Sequence, residues 1–112
     1  MSYTFIVDPA HGWLKVSIDE IRKLGIAKNI SNYSYVDSCN SFLEEDQDAL
    51  IFIRAASGID VMLPDNRKAL MNWCAKNTDE IYFDQVEKYE RGTSHPVRSC
   101  ARFHSDPEFW LN

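Results

Sequence analysis

The 112-residue chain has little of what lets a small protein rely on cross-links, cofactors or membranes. It has three cysteines, Cys39, Cys74 and Cys100, with no Cys-x-x-Cys pair. An odd set can close at most one bridge, which excludes a secreted disulfide framework and fits reduced thiols in a cytoplasm. Only four glycines and four prolines punctuate the chain. Neither a glycine-rich phosphate loop nor a G-x-S-x-G elbow occurs, and there is no repeat, low-complexity stretch or linker. No apolar run approaches membrane-helix length, and the start MSYTFIVDPAHGW has no basic leader region. A cytoplasmic chain that neither inserts into a membrane nor is exported is therefore expected. Basic residues are outnumbered 12 to 17, giving a net charge of −5. That excludes a broad cationic footprint for nucleic acid over the whole molecule.

What is present is apolar: 45% of the residues are hydrophobic and 12% aromatic. A chain of this length and composition builds one domain with a core of its own, without metal or disulfide support. Tyr3 to Val7 reads as a strand closed by Asp8-Pro9, His11-Gly12 lies in the following turn, and Trp13 to Val16 reads as a second strand. Ser17-Ile18-Asp19-Glu20 has the form of a capping box for a helix from Ile18 to Leu24, with Gly25 at its left-handed end. Asn32 to Val36 alternates and, with Phe42-Leu43, predicts a hairpin. Acidic residues ahead of Ala49 to Ala56 predict a second helix ending at Gly58, a buried strand Leu50–Ile53 being the competing reading. Ile59 to Leu63 reads as a strand, and Pro64-Asp65-Asn66 as a turn and cap for a third helix through Ala69, Leu70, Trp73 and Cys74 to about Lys76. Segments within Glu80–Glu90 and Val97–Phe103 read as an antiparallel pair about Arg91-Gly92-Thr93, and Phe109, Trp110 and Leu111 form a terminal aromatic cluster. The expected fold is a single α+β domain over residues 1–112, a mostly antiparallel sheet with two or three helices packed on one face.

The run Asp8-Pro-Ala-His-Gly-Trp-Leu-Lys-Val16, then Tyr33-Ser-Tyr35, then Phe42-Leu-Glu-Glu-Asp-Gln-Asp-Ala49 resembles a group of small proteins of unknown function carried by phages and other mobile elements. The likeness covers Tyr3 to about Ile53, with an echo at Ser94 to Phe103, while Gly58 to Lys88 departs from the group's shorter middle. It implies a setting, a mobile element inside a bacterium, and assigns no activity to any residue.

Several groups of residues carry chemistry. His11 beside Asp8, with His95 elsewhere, offers an imidazole and a carboxylate for general acid–base work. The simpler account is a turn histidine, with Gly12 supplying an unusual dihedral angle and Trp13 packing inward. His11, His95 and His104 show no metal-ligand spacing, and Cys100-x₃-His104 is only half a site, so neither a metal nor a cofactor is expected. Glu44, Glu45, Asp46 and Asp48 offer clustered oxygens but lack the glycine and terminal glutamate of a calcium loop. They read as an acidic helix start, or with Asp8, Asp19 and Glu20 as one acidic surface. Residues 1–60 hold nine acids against five bases, whereas Lys88, Arg91, Arg98 and Arg102 make a late basic stretch with Tyr89 and Phe103 interleaved. Arginines with aromatics bind single-stranded nucleic acid, although four bases are few for it.

The expectation from these residues is a non-enzymatic protein-binding accessory factor of a phage or mobile element. It would block a host protein or defence complex through an acidic and aromatic surface that includes Trp13, Glu44, Glu45, Asp46 and Asp48. The alternatives are a small hydrolase or nuclease using His11 or His95 with a nearby carboxylate, and a single-strand binder through Arg98 and Arg102.

Overall fold

The sheet grows outward from two antiparallel strand pairs. A computed structural model of the chain describes residues 3–7, 11–82, 97 and 100–105. β1 (Tyr3–Val7) and β2 (Gly12–Ser17) pair antiparallel, with Phe5 opposite Leu14 and Ile6 opposite Trp13. β3 (Tyr35–Val36) and β4 (Asn40–Glu44) pair antiparallel across a turn whose Asp37 Oδ1 accepts the Cys39 and Asn40 amides at 2.8 and 2.7 Å. β4 also joins β2, while β5 (Thr78–Tyr82) runs parallel to β1 at one edge and β6 (Ala101–Arg102) antiparallel to β3 at the other. The order is β5-β1-β2-β4-β3-β6. This is the expected α+β architecture, with one parallel pairing in a mostly antiparallel sheet.

Alternation along the strands divides the core between two faces. Leu14, Val16 and Leu43 turn to one face, where they pack with helix and loop residues Ile21, Ile26, Ile30, Phe52 and Ile53 and with the partly buried Leu70, Trp73 and Cys74. All three helices therefore lie on that face. Ile6, Trp13, Tyr35 and Phe42 turn to the other face, covered by Val97. Burying side chains as large as Phe42 and Phe52 completely stabilises the fold by roughly 1.5–3 kcal/mol each.

α1 and α2 are bounded where the sequence predicts. In α1 (Ile18–Leu24) the Ser17 hydroxyl accepts the Glu20 amide at 3.2 Å, and Gly25 closes the helix at φ 66°. α2 (Asp48–Ser57) is a helix and not a strand, ended by Gly58 at φ 75°. α3 (Arg67–Asn77) follows a 3₁₀ turn at Pro64–Asn66. The Tyr3 ring ties both later helices to β1, edge-on to Phe52 at 5.1 Å and stacked on Trp73 at 6.1 Å.

Two expectations are corrected. Ile59 to Leu63 is not a strand: Asp60 Oδ1 accepts the Met62 amide and the Asp60 carbonyl accepts from Leu63, so the segment curls on itself and leaves Met62 74% exposed. Asn66 does not cap α3 with its side chain, because its amide donates to the Asp60 carbonyl at 3.1 Å. The pairing expected between Glu80–Glu90 and Val97–Phe103 about Arg91-Gly92-Thr93 falls mostly outside the described residues; among those described, β5 and β6 lie at opposite edges of the sheet. The terminal aromatic cluster lies outside the described residues.

Candidate functional site

Strand register gathers a set of side chains at one end of the face opposite α1, α2 and α3. The β2–β4 pairing sets Trp13 opposite Glu44, and the β4–β3–β6 pairings set Phe42, Tyr35 and Arg102 in one row. Residues in such a row project to the same face. Between these rows lies an open cleft of about 410 Å³. His11, Gly12 and Trp13 form one wall, Glu44 to Gln47 a second, and Tyr33, Tyr35 and Arg102 the third. The Trp13 and Tyr35 rings meet edge-on at 6.1 Å, and both are almost fully buried. They form a rigid aromatic floor, while Tyr33 stands 72% exposed at the rim.

The carboxylates divide by function. Glu44 turns back to cap α2: its carboxylate accepts the amides of Asp46, Gln47 and Asp48 at 2.9, 2.5 and 2.8 Å. A negative charge on these unpaired amides faces the positive end of the helix. Glu45 and Asp46 are exposed, and among the described residues neither carboxylate has a hydrogen-bond or ion-pair partner. Arg102 stacks on the opposite wall, its guanidinium carbon 4.5 Å from the Tyr35 ring centroid.

Asp48 is fully buried and takes no part in the cleft surface. Its carboxylate accepts the Ser31 amide at 3.0 Å and the Ser31 and Ser34 hydroxyls at 2.6 and 2.5 Å. The Ser34 hydroxyl oxygen in turn accepts the Glu44 amide at 3.0 Å. This network holds the loop that carries Tyr33, and it explains why β3 is only two residues long: Ser31 to Ser34 bonds inward to Asp48 and not along a ladder.

The last described segment fixes the same loop from outside. Phe103 donates its amide to the Ser34 carbonyl at 2.9 Å, and His104 donates its amide to Asn32 Oδ1 at 2.8 Å while its ring Nε2 meets the Ile30 carbonyl at 2.6 Å. His104 thus serves the fold. His11 is exposed at the cleft mouth, its ring 6.2 Å from that of Trp13.

Gly12 is needed for space and not for an unusual dihedral. Among the described residues the glycines with positive φ are Gly25 and Gly58. A Cβ at Gly12 would lie 2.5 Å from the Phe5 ring and 3.1 Å from Glu45 Oε2.

None of the thiols lines the cleft. Burial pushes the Cys74 and Cys100 thiols above their ordinary range, and the Asp37 charge adds to the effect at Cys100, which is opposite to the activation a nucleophile requires. Among the described residues, no three His, Cys, Asp or Glu side chains are placed to hold a metal ion, and no helix is long and apolar enough to cross a membrane.

The structure therefore unites His11, Trp13, Glu44, Glu45, Asp46 and Arg102, and places Asp48 in the interior. Asp19 and Glu20 do not extend this acidic surface, since they sit on α1, which packs on the opposite face. Asp8, His95 and Arg98 lie outside the described residues. Tyr33, Tyr35 and Gln47 join the cleft without having been singled out as site residues, although the spacing of the two tyrosines in Asn32-Tyr-Ser-Tyr already set them on one side of an extended segment. Comparison with protein-family models, curated proteins and solved structures finds no match for this chain.

Proposed function

We propose that this chain is a non-enzymatic protein-binding accessory factor of a phage or mobile element, and that it engages a host protein or defence complex through the acidic and aromatic cleft. The observation that carries this reading is the pairing of two exposed carboxylates, Glu45 and Asp46, which have no partner among the described residues, with a preformed aromatic floor. Aromatic anchors in a pocket surrounded by steering charge are the usual composition of a protein-binding hot spot. Stability is invested in holding the cleft's shape, through Asp48 on one side and His104 on the other, which lowers the ordering cost of binding.

His11 shares the cleft with these carboxylates, which keeps a hydrolase as the second reading. The described lining contains no serine, threonine or cysteine. A photo-crosslinking residue in place of Tyr33, expressed in bacterial cells, tests the first reading. A discrete crosslinked partner at Tyr33, absent when the same residue replaces Met62 before α3, is expected. Crosslinking that is the same at both positions would count against it, and loss of a hydrolytic activity in His11→Ala would transfer support to the second reading.

A further inference from the structure

We infer that the cleft is a receptor for an arginine side chain presented by the partner, and that Arg102 occupies part of it as an internal stand-in. This deepens the reading of the cleft as the partner-binding surface and rests on it. The chain itself shows which group the aromatic wall accepts: the Arg102 guanidinium lies 4.5 Å over the Tyr35 ring. Its hydrogen bond to the Asn32 carbonyl is a long one, 3.4 Å from Nη1. Arg102 also sits on a two-residue edge strand and is exposed. Its place is thus set by stacking, with few bonds to break.

Across the cleft, Glu45 and Asp46 supply consecutive carboxylates with no partner among the described residues. A guanidinium can meet both requirements at once, with a flat face for the tyrosine and a fork of N–H donors for carboxylate. An ammonium meets only the charge. Gly12 keeps Glu45 in position, because any Cβ there would approach Glu45 Oε2 to 3.1 Å. The Tyr33 backbone is pinned by its amide on Ser31 Oγ at 3.1 Å, which fixes the rim against which an incoming side chain would rest.

The test is fluorescence anisotropy with two labelled peptides, Gly-Ser-Arg-Ser-Gly and its lysine counterpart, at about 50 mM salt to limit screening. The arginine peptide is expected to bind roughly fivefold tighter than the lysine peptide. The double variant Glu45→Gln, Asp46→Asn should weaken it by about tenfold, and Arg102→Ala should tighten it by uncovering the Tyr35 face. Tyr33→Ala, at an exposed position, gives a second loss that does not depend on the acidic pair, and circular dichroism checks that each variant is folded. Equal affinity for the two peptides, no binding of the arginine peptide, or variants that bind like the parent would each overturn the inference. A partner crosslinked at Tyr33 together with no arginine preference would end the guanidinium assignment and leave the protein-binding reading standing.

Discussion

The Ser34 hydroxyl donates to the Asp48 carboxylate at 2.5 Å, with both residues fully buried. This bond links the start of α2 to the tyrosine loop and, through the Glu44 amide on the same serine oxygen, to the end of β4. Asp48→Ala would leave two serine hydroxyls and a backbone amide without their acceptor, and should cost about 3 kcal/mol. Asp48→Asn keeps the shape and one carbonyl acceptor, and should cost about 1 kcal/mol. Urea unfolding of the three proteins, at unchanged m-value, checks the order.

Neighbouring glutamates should separate cleanly. Glu44→Ala removes the acceptor for the amides of Asp46, Gln47 and Asp48 at the entry to α2 and should destabilise the protein by about 1–2 kcal/mol. Glu45→Ala, exposed and unpartnered among the described residues, should change stability by no more than about 0.5 kcal/mol. Thermal melts distinguish the two, and equal losses would contradict the division of labour between capping and cleft.

Gly12→Ala should be destabilising although β2 is a regular strand. The new methyl meets the Phe5 ring at 2.5 and 2.7 Å, and overpacking of this kind costs about 1–3 kcal/mol. Combining it with Phe5→Leu should recover part of the loss, which a double-mutant cycle measures.

Stability should fall at alkaline pH. Burial raises the Cys74 and Cys100 thiols, and burial together with the hydrogen bond to Glu20 and its charge raises Tyr3. The folded state then holds these protons after the unfolded chain has begun to release them. Stability is full below the unfolded values and is lost as pH rises through about 8.5 for the thiols and about 10 for the phenol toward the folded values. Iodoacetamide labelling with mass spectrometry should modify the exposed Cys39 first, with Cys74 and Cys100 following slowly and only at higher pH.

Much of this fold is written locally. Ser17 with Glu20, Gly25 and Gly58 mark helix ends because capping depends on residues within one turn, and α1 and α2 end where those residues stand. The first hairpin and the alternation that turns Trp13 to one face and Leu14 to the other are equally local. The parallel docking of β5 on β1 was not legible, since nothing within five residues encodes a partner more than seventy positions away. The same holds for the cleft: the acidic run and His11-Gly12-Trp13 stood out in the sequence, but their meeting with Arg102 depends on β6 joining β3. Asp48 looked like its acidic neighbours, and only the serines 17 and 14 positions earlier make it an interior acceptor.

The most direct test of the central claim is quantitative capture from a bacterial lysate by the parent chain, by Glu45→Lys with Asp46→Lys, and by a control reversal, Asp19→Lys, on α1. One partner should be recovered near stoichiometric amounts by the parent and the control, and lost with the cleft reversal. Recovery of that partner undiminished by the cleft reversal, or the absence of any stoichiometric partner across several salt concentrations, would contradict the account.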